Sequence, residues 1–478
     1  MDLVHVPVLR AGREYASRRR RLLTDVRTGD PVAEVSLANG GLIARDLAGA
    51  AAHRQALERM PAGELAILCA EAARRFRQDR LPVDGGTDQS FEDYLSHLAA
   101  TAGMPPSLGR RNADKICGVL ESMEQVLDGL TRGLDLAVVD AGWGEERGRT
   151  ISYRRQTDVL GAVLPNNSPG VHTLWLPAVP LKTPLALRPG AREPWTPLRL
   201  ARAFTASGCP PEAFGFYPGD HDGAVEILVR CGRSLLFGGD DTVDPWRGDP
   251  RVEIHGAGRS KVLLGPDLTD WRVHLDLLAA SVADNGGRSC LNASGVWTTA
   301  NGLDLGQALA GCLARIEPRP LDDPGAALAA FPEPGTARAI SAHIDRLLAG
   351  GGARDLTAEV RGEGRLVEVD GCTFLRPTVV LCEDPSHPLA NTEYLFPFAA
   401  VVETSAESML EAVGPTLVAT ALTEDSGLQG RLMDHPGIDR LNLGPVPTTA
   451  ISWEQPHEGN LFEHLYRRRA LGRARSRA

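Results

Sequence analysis

The chain has 478 residues, 43% of them hydrophobic and 23% charged, enough for two or three domains with cores of their own. Its net charge of -10 argues against a nucleic-acid binder, which carries a basic footprint. No apolar run approaches the roughly 18 residues that span a bilayer. The opening MDLVHVPVLR lacks the charged start and apolar stretch of a secretory leader. A cytoplasmic protein with no membrane attachment is therefore expected.

Residues 1 to 60 show no clear period. Apolar residues recur at helical spacing over residues 62–76. They do so again over residues 112–133, where Ile116, Leu120, Met123, Val126 and Leu127 share one face. The stretch from Asp135 to Val163 alternates around the polar turn GWGEERGR and ends in VLGAV, which predicts strands about a turn. From Leu164 to Arg259 short apolar strands (LALRP, FGFYPG, SLLFGG, VEIHGAG) alternate with helices (TPLRLARAFTASG, AVEILVRCG). That alternation predicts a mainly parallel, helix-covered sheet. A helix over WRVHLDLLAASVADN and strands at GVWTT, FLRPTVVL, FAAVVET and TLVATALT predict a second α/β unit.

Eight cysteines occur, none in Cys-x-x-Cys spacing and none beside a His cluster, so no metal site is expected. Most read as small buried hydrophobes. Cys290 differs, because ADNGGRSCLNASGV sets it between a helix and a strand. Gly286 and Gly287 permit a tight turn that aims a thiol and its backbone N–H at one carbonyl. The thiolate is the nucleophile, Arg288 stands near enough in sequence to lower its pKa, and the oxyanion it creates needs fixed donors. A buried structural cysteine is the competing reading. The segment LPNNSPG, Leu164 to Gly170, follows an apolar strand, at the strand end where α/β sheets bind ligands. Its Asn side chains are suited to donating to an oxyanion or, equally, to forming a turn.

Taken in order, five segments resemble the aldehyde dehydrogenase superfamily, over roughly residues 60 to 445. PNNSPG is similar to the Pro-x-Asn-x-Pro motif, with Pro165 beside the cofactor and Asn167 at the oxyanion position. LRPGAREP resembles the strand end whose basic residue meets the adenosine ribose, with Arg188 where Lys is usual. NGGRSC resembles the nucleophile motif at Cys290, and FLRPTVV a family strand. TEYLFP resembles the Glu-x-x-x-Pro segment in which Glu393 holds the nicotinamide ribose. The resemblance implies an α/β fold with a Rossmann-type cofactor domain (1–134 and 159–254). It also implies an α/β catalytic domain (255–442) and a small β oligomerisation extension (135–158 and 443–478). NAD or NADP as cofactor, a homodimer or homotetramer, and Trp453 and His457 at the substrate entrance are implied with it.

The sequence also departs from that pattern. Hydrolytic members carry a general-base Glu where VEIHGAGRSK places His255, with Glu253 two residues earlier. Without a base, water attacks an acyl-enzyme poorly, whereas the thiol of coenzyme A still attacks. The Gly-Ala-Gly pattern resembles CoA-acylating members, and the stretch from LLFGGDDTV to RSK resembles the fatty acid reductases of bacterial luminescence. The favoured expectation is oxidation of an aldehyde to an acyl thioester, or the reverse reduction. The substrate is then a small aldehyde or acyl thioester, with CoA as co-substrate. Two alternatives stand beside it: hydrolysis with His255 or Glu253 as base, and a catalytically silent scaffold. Gly238 and Gly239 suit pyrophosphate at a helix N-terminus, but Asp240 and Asp241 beside them would repel it, and Pro245 shortens any helix there. Arg188 and Arg192 suit either a 2′-phosphate or ordinary NAD contacts.

Overall fold

A computed structural model describes residues 3–455 and 458–472. The strand Leu160–Val163 is buried at all four positions, as an interior parallel strand should be. Its side chains alternate between two cores. Leu160 and Ala162 pack with Phe76, Trp175 and Phe204 on one face, and Val163 packs with Ile43, Ile227 and Val243 on the other. It lies inside a seven-stranded sheet ordered Val252–His255, Arg233–Phe237, Leu160–Val163, Leu185–Arg188, Phe214–Phe216, Val8–Arg10, Arg13–Tyr15. The first five strands are parallel, and the last two join antiparallel.

A second seven-stranded sheet runs Ala353–Asp355, Thr378–Cys382, Phe398–Glu403, Ala293–Thr298, Ser260–Leu264, Thr416–Leu422, Ile438–Leu443. It is parallel except at its first strand. The hairpin Trp143–Glu146 and Arg149–Arg155 takes Tyr466–Arg468 as a third strand. The mainly parallel α/β architecture expected from the sequence is thus present. Among the described residues no helix is long and apolar enough to cross a membrane.

Several local expectations need correction. The helix expected over residues 112–133 is two helices, Pro106–Glu121 and Met123–Thr131, broken at Ser122 (φ -101°, ψ 21°). Each carries its own buried stripe, so the apolar spacing conceals the break. The stretch from Asp135 starts not as a strand but as the short helix Ala137–Ala141, closed by Gly142 at φ 73°. FLRPTVVL splits into Cys372–Leu375 and Thr378–Cys382, which belong to different sheets. Pro377 between them has no N–H for a ladder. Residues 4–58, without a legible period, form five short strands and two helices.

One buried cation fastens this frame. Arg199, 2% exposed, donates to the carbonyls of Phe76 (2.9 Å), Gln89 (2.7 Å) and Asp79 (2.8 Å). The first and last are orphan carbonyls at the end of the helix Ala62–Gln78. Arg199→Met keeps the apolar stem but leaves three carbonyls without their donor. Equilibrium denaturant unfolding should show a loss of about 3 kcal/mol; a loss under about 0.5 kcal/mol, the scale of surface substitutions, would refute this role.

Candidate active site

The parallel strands of the first sheet all end on one side, and the chain crosses from there to the second sheet. Leu164–Asn167, Arg188, Gly238–Gly239 and His255 sit at those strand ends, and Gly256 to Arg259 form the crossing. A cavity of about 530 Å³ opens there. It is lined by Pro165, Asn167, Arg188, Gly238, Gly239, His255, Cys290 and Glu393. These eight come from six separated segments, and the fold brings them to one cleft, as open α/β sheets do at their carboxyl ends.

The turn before Cys290 is left-handed at three successive residues: Asn285 (φ 53°), Gly286 (φ 65°) and Gly287 (φ 69°). A Cβ on Gly287 would fall 2.3 Å from the Pro397 nitrogen, so only glycine fits. Gly258 in the crossing is equally constrained, since its Cβ would lie 2.0 Å from the Cys290 carbonyl oxygen. Ser260 Oγ donates to that oxygen at 2.8 Å. Asn112 ties three segments together: its Nδ2 donates to Leu108 O (2.8 Å) and Asn285 Oδ1 (2.7 Å), and its Oδ1 accepts from Ser168 Oγ (2.8 Å) and Gly170 N (3.0 Å). Asn167 Nδ2 donates to the Arg288 carbonyl at 3.0 Å, which leaves its second N–H for the cavity.

No protein-family model and no curated protein matches this sequence. Solved structures do match in three dimensions. The aldehyde dehydrogenase KauB from Pseudomonas aeruginosa superposes with a TM-score of 0.80 at 15% identity, covering 98% of this chain and 96% of that one. The NAD-dependent aldehyde dehydrogenase from Sinorhizobium meliloti gives 0.76 at 16%, covering 99% and 96%. The NAD+ complex of an aldehyde dehydrogenase from Bacillus cereus gives 0.77 at 15%, covering 97% and 96%. The chain has the aldehyde dehydrogenase fold.

Within this aldehyde dehydrogenase fold, Cys290 lines two cavities at once: the strand-end cleft, and a second one bounded by Lys115, Ser168, Asn285 and Glu458. Its sulfur lies 3.9 Å from Glu458 Oε2, as donor to that carboxylate. Burial pushes the thiol pKa well up, Glu458 and Glu393 push it further, and Lys115 and Ser289 oppose them. The activating role expected of Arg288 is not realised. Its Nη1 donates to Ala330 O at 3.0 Å, its guanidinium lies against the Phe331 ring, and it is not among the groups that chiefly set the thiol pKa.

His255 stacks on Phe237 (4.4 Å between centroids, 12° between planes). Its Nδ1 is 3.0 Å from Glu458 Oε1, and its Nε2 is 3.5 Å from Glu253 Oε1. Burial opposes charge on the imidazole, but Glu458 and then Glu253 outweigh it, so its pKa is raised. Glu253, raised chiefly by burial, also lies 3.5 Å from His464 Nδ1. Trp453 lines a neighbouring, largely apolar cavity with Glu253, His255 and Glu458. His457 lies outside the described residues.

The strand-end cleft fits a nicotinamide dinucleotide. Arg188 donates through Nη2 to Gly219 O at 3.0 Å, while its buried Nε has no partner among the described residues. Gly239 leaves open space where a Cβ would stand. Glu393 accepts the Arg259 N–H at 2.7 Å through one oxygen, and burial lifts its pKa to about 7. Two expectations are corrected here. Asp240 and Asp241 do not line the cleft; Asp240 is paired with Arg259 and Arg247. Arg192 is not in the cleft either, because it pairs with Glu333.

Sequence reasoning missed Glu458, Asn112 and Lys115. Glu458 closes the stretch WEQPHE, which the resemblance places at the substrate entrance, but nothing along the chain set its carboxylate beside Cys290, 168 residues away. Asn112 and Lys115 did carry one, since they interrupt the stripe that Leu108, Ile116 and Val119 form on the helix Pro106–Glu121. Polar residues on a buried stripe demand partners or a ligand. The raised thiol pKa predicts that peptide-resolved alkylation of Cys290 by iodoacetamide is slow at pH 7 and accelerates as pH rises past 9. Glu458→Gln removes a negative neighbour and shifts that profile to lower pH. A profile already flat from pH 6 upward would contradict the burial argument.

Proposed function

We propose that this protein is an NAD(P)-dependent aldehyde oxidoreductase acting through a thiohemiacetal and then a thioester on Cys290. The observation that carries this reading is that Cys290 is shared by two cavities, the strand-end cleft lined by Pro165, Asn167, Arg188 and Glu393, and a chamber lined by Lys115, Ser168 and Glu458. Arg188, Pro165, Gly238, Gly239 and Glu393 would hold the cofactor, whose bound nicotinamide supplies two-electron redox chemistry. Residues 1–134 and 159–254 are assigned to cofactor binding and 255–442 to catalysis. Residues 135–158 and 443–478 are assigned to assembly as a homodimer or homotetramer.

Cys290 gives its proton to Glu458 and attacks the aldehyde carbon. The free N–H of Asn167 and the Cys290 backbone N–H receive the oxyanion. Both are fixed before substrate arrives, so little reorganisation is needed. Loss of a hydride from the former aldehyde carbon to the bound nicotinamide leaves an acyl thioester on Cys290.

The fate of that acyl group depends on a base. His255, where hydrolytic members carry Glu, sits between two carboxylates that raise its pKa and so favour its charged form, in which it cannot accept a proton. Glu253 is turned toward His255 and His464 and does not line the cleft. This supports transfer to a thiol such as coenzyme A, or the reverse reduction of an acyl thioester. A hydrolytic reading has one specific support, the Glu458 carboxylate beside the sulfur.

The test is NAD(P)H formation from an aldehyde panel with and without CoA. Turnover should require CoA, yield acyl-CoA, and fall below about one thousandth in Cys290→Ser. Full-rate acid production without CoA, lost in Glu458→Gln, would establish hydrolysis instead. Absence of cofactor binding by calorimetry would leave a silent scaffold.

A further inference from the structure

The helix Pro106–Glu121 presents Arg111, Asn112 and Lys115 on one side, at spacings that place them over one another. All three line the chamber that contains Cys290 and Glu458. Their charges are not handled alike. Arg111 is paired with Asp284. Asn112 spends its amide on Leu108 and Asn285, and its carbonyl on Ser168 and Gly170. Glu458 faces His255 through one oxygen and Cys290 through the other. Lys115 has no hydrogen bond or ion pair within 4 Å among the described residues. Its stem passes Gly170, with Cδ 3.5 Å from where a Gly170 Cβ would stand.

An ammonium group that lines a cavity without an ion pair of its own favours an anionic ligand there; Cys290, Glu458 and Asp284 act on it only from beyond ion-pair distance. The charged groups around it are already engaged: Asp284 by Arg111, Glu458 by His255, Cys290 beside Glu458. Burial draws the Lys115 pKa down to about 8, and a bound anion would raise it again and stabilise the charged form. Asn112, three residues before it, locks that turn of helix to Asn285 in the nucleophile loop, so Lys115 stands at a fixed distance from the sulfur.

We propose that Lys115 is a specificity-determining residue, and that the substrate aldehyde carries a carboxylate at the end remote from its carbonyl. The inference rests on the proposed oxidoreductase reading. A single ammonium, with Arg111 already paired, matches the charge of a monoanionic carboxylate better than that of a phosphate dianion. The same ammonium repels an aldehyde that ends in an amine.

The test compares kcat/KM for 4-oxobutanoate, butanal and 4-aminobutanal in the wild type, Lys115→Met and Lys115→Arg. The wild type should favour the oxo acid over butanal by about tenfold or more, and disfavour the amine. Lys115→Met should erase that preference through KM for the oxo acid, and Lys115→Arg should retain most of it. A second readout needs no turnover: protection of Cys290 from alkylation by butanedioate, against the neutral diamide. Lys115→Met should weaken dicarboxylate protection by about tenfold, with Lys115→Arg close to wild type. If no aldehyde is oxidised yet this Lys115-dependent protection persists, the oxidoreductase reading falls and the carboxylate site stands. Equal losses on all three aldehydes, with the alkylation profile moved to higher pH, would show that Lys115 serves the thiol and overturn the proposal. Absent protection, or preference for a phosphorylated aldehyde, would overturn it too.

Discussion

The Gly258–Cys290 contact is the constraint on which the rest of the site depends. The crossing between the two sheets passes so close to the nucleophile loop that a single methyl at Gly258 would meet the Cys290 carbonyl. With glycine there, the second sheet's first core strand, Ser260–Leu264, can start directly beneath the sulfur, and Ser260 can hold the Cys290 carbonyl from below. Gly287 makes the same allowance from above, against Pro397. The thiol is therefore placed by backbone packing on both sides, and its position does not rely on side-chain contacts that substrate entry would disturb.

That placement has an electrostatic consequence. The sulfur sits among carboxylates, Glu458 beside it and Glu393 across the cleft, in surroundings where burial already disfavours charge. The free thiol is thereby kept protonated and guarded against adventitious oxidation and alkylation. Chemistry requires the local balance to change when ligands enter. Glu458 is the group through which that change would pass, because it touches both Cys290 and His255. Beyond His255 the same line of titratable groups continues to Glu253 and His464.

The cofactor cleft shows how charge is redirected by packing. Asp240 looks adverse for pyrophosphate when read along the chain, yet Arg259 and Arg247 hold it outside the cleft. Arg192 looks favourable and is drawn off by Glu333. Arg188, on the strand end itself, is left with a buried Nε that has no partner among the described residues. Nearest ionic partners, and not formal charge near a motif, determine which groups a ligand meets.

The amino-acid sequence by itself determined the α/β alternation, the strand-end loops and the glycine-bounded turn around Cys290. These follow from short-range physics: apolar periodicity, the steric freedom of glycine, and the turn chemistry of Asn and Pro. It could also have marked Asn112 and Lys115 as polar breaks in a buried stripe. Tertiary structure alone decided that Glu458 stands beside Cys290, that His255 is clamped between two acids, and that Arg288 and Arg192 are drawn to other partners. Those outcomes depend on through-space contacts between segments up to 168 residues apart, as for Cys290 and Glu458. Their energies fall off with distance in space, which no local pattern along the chain records.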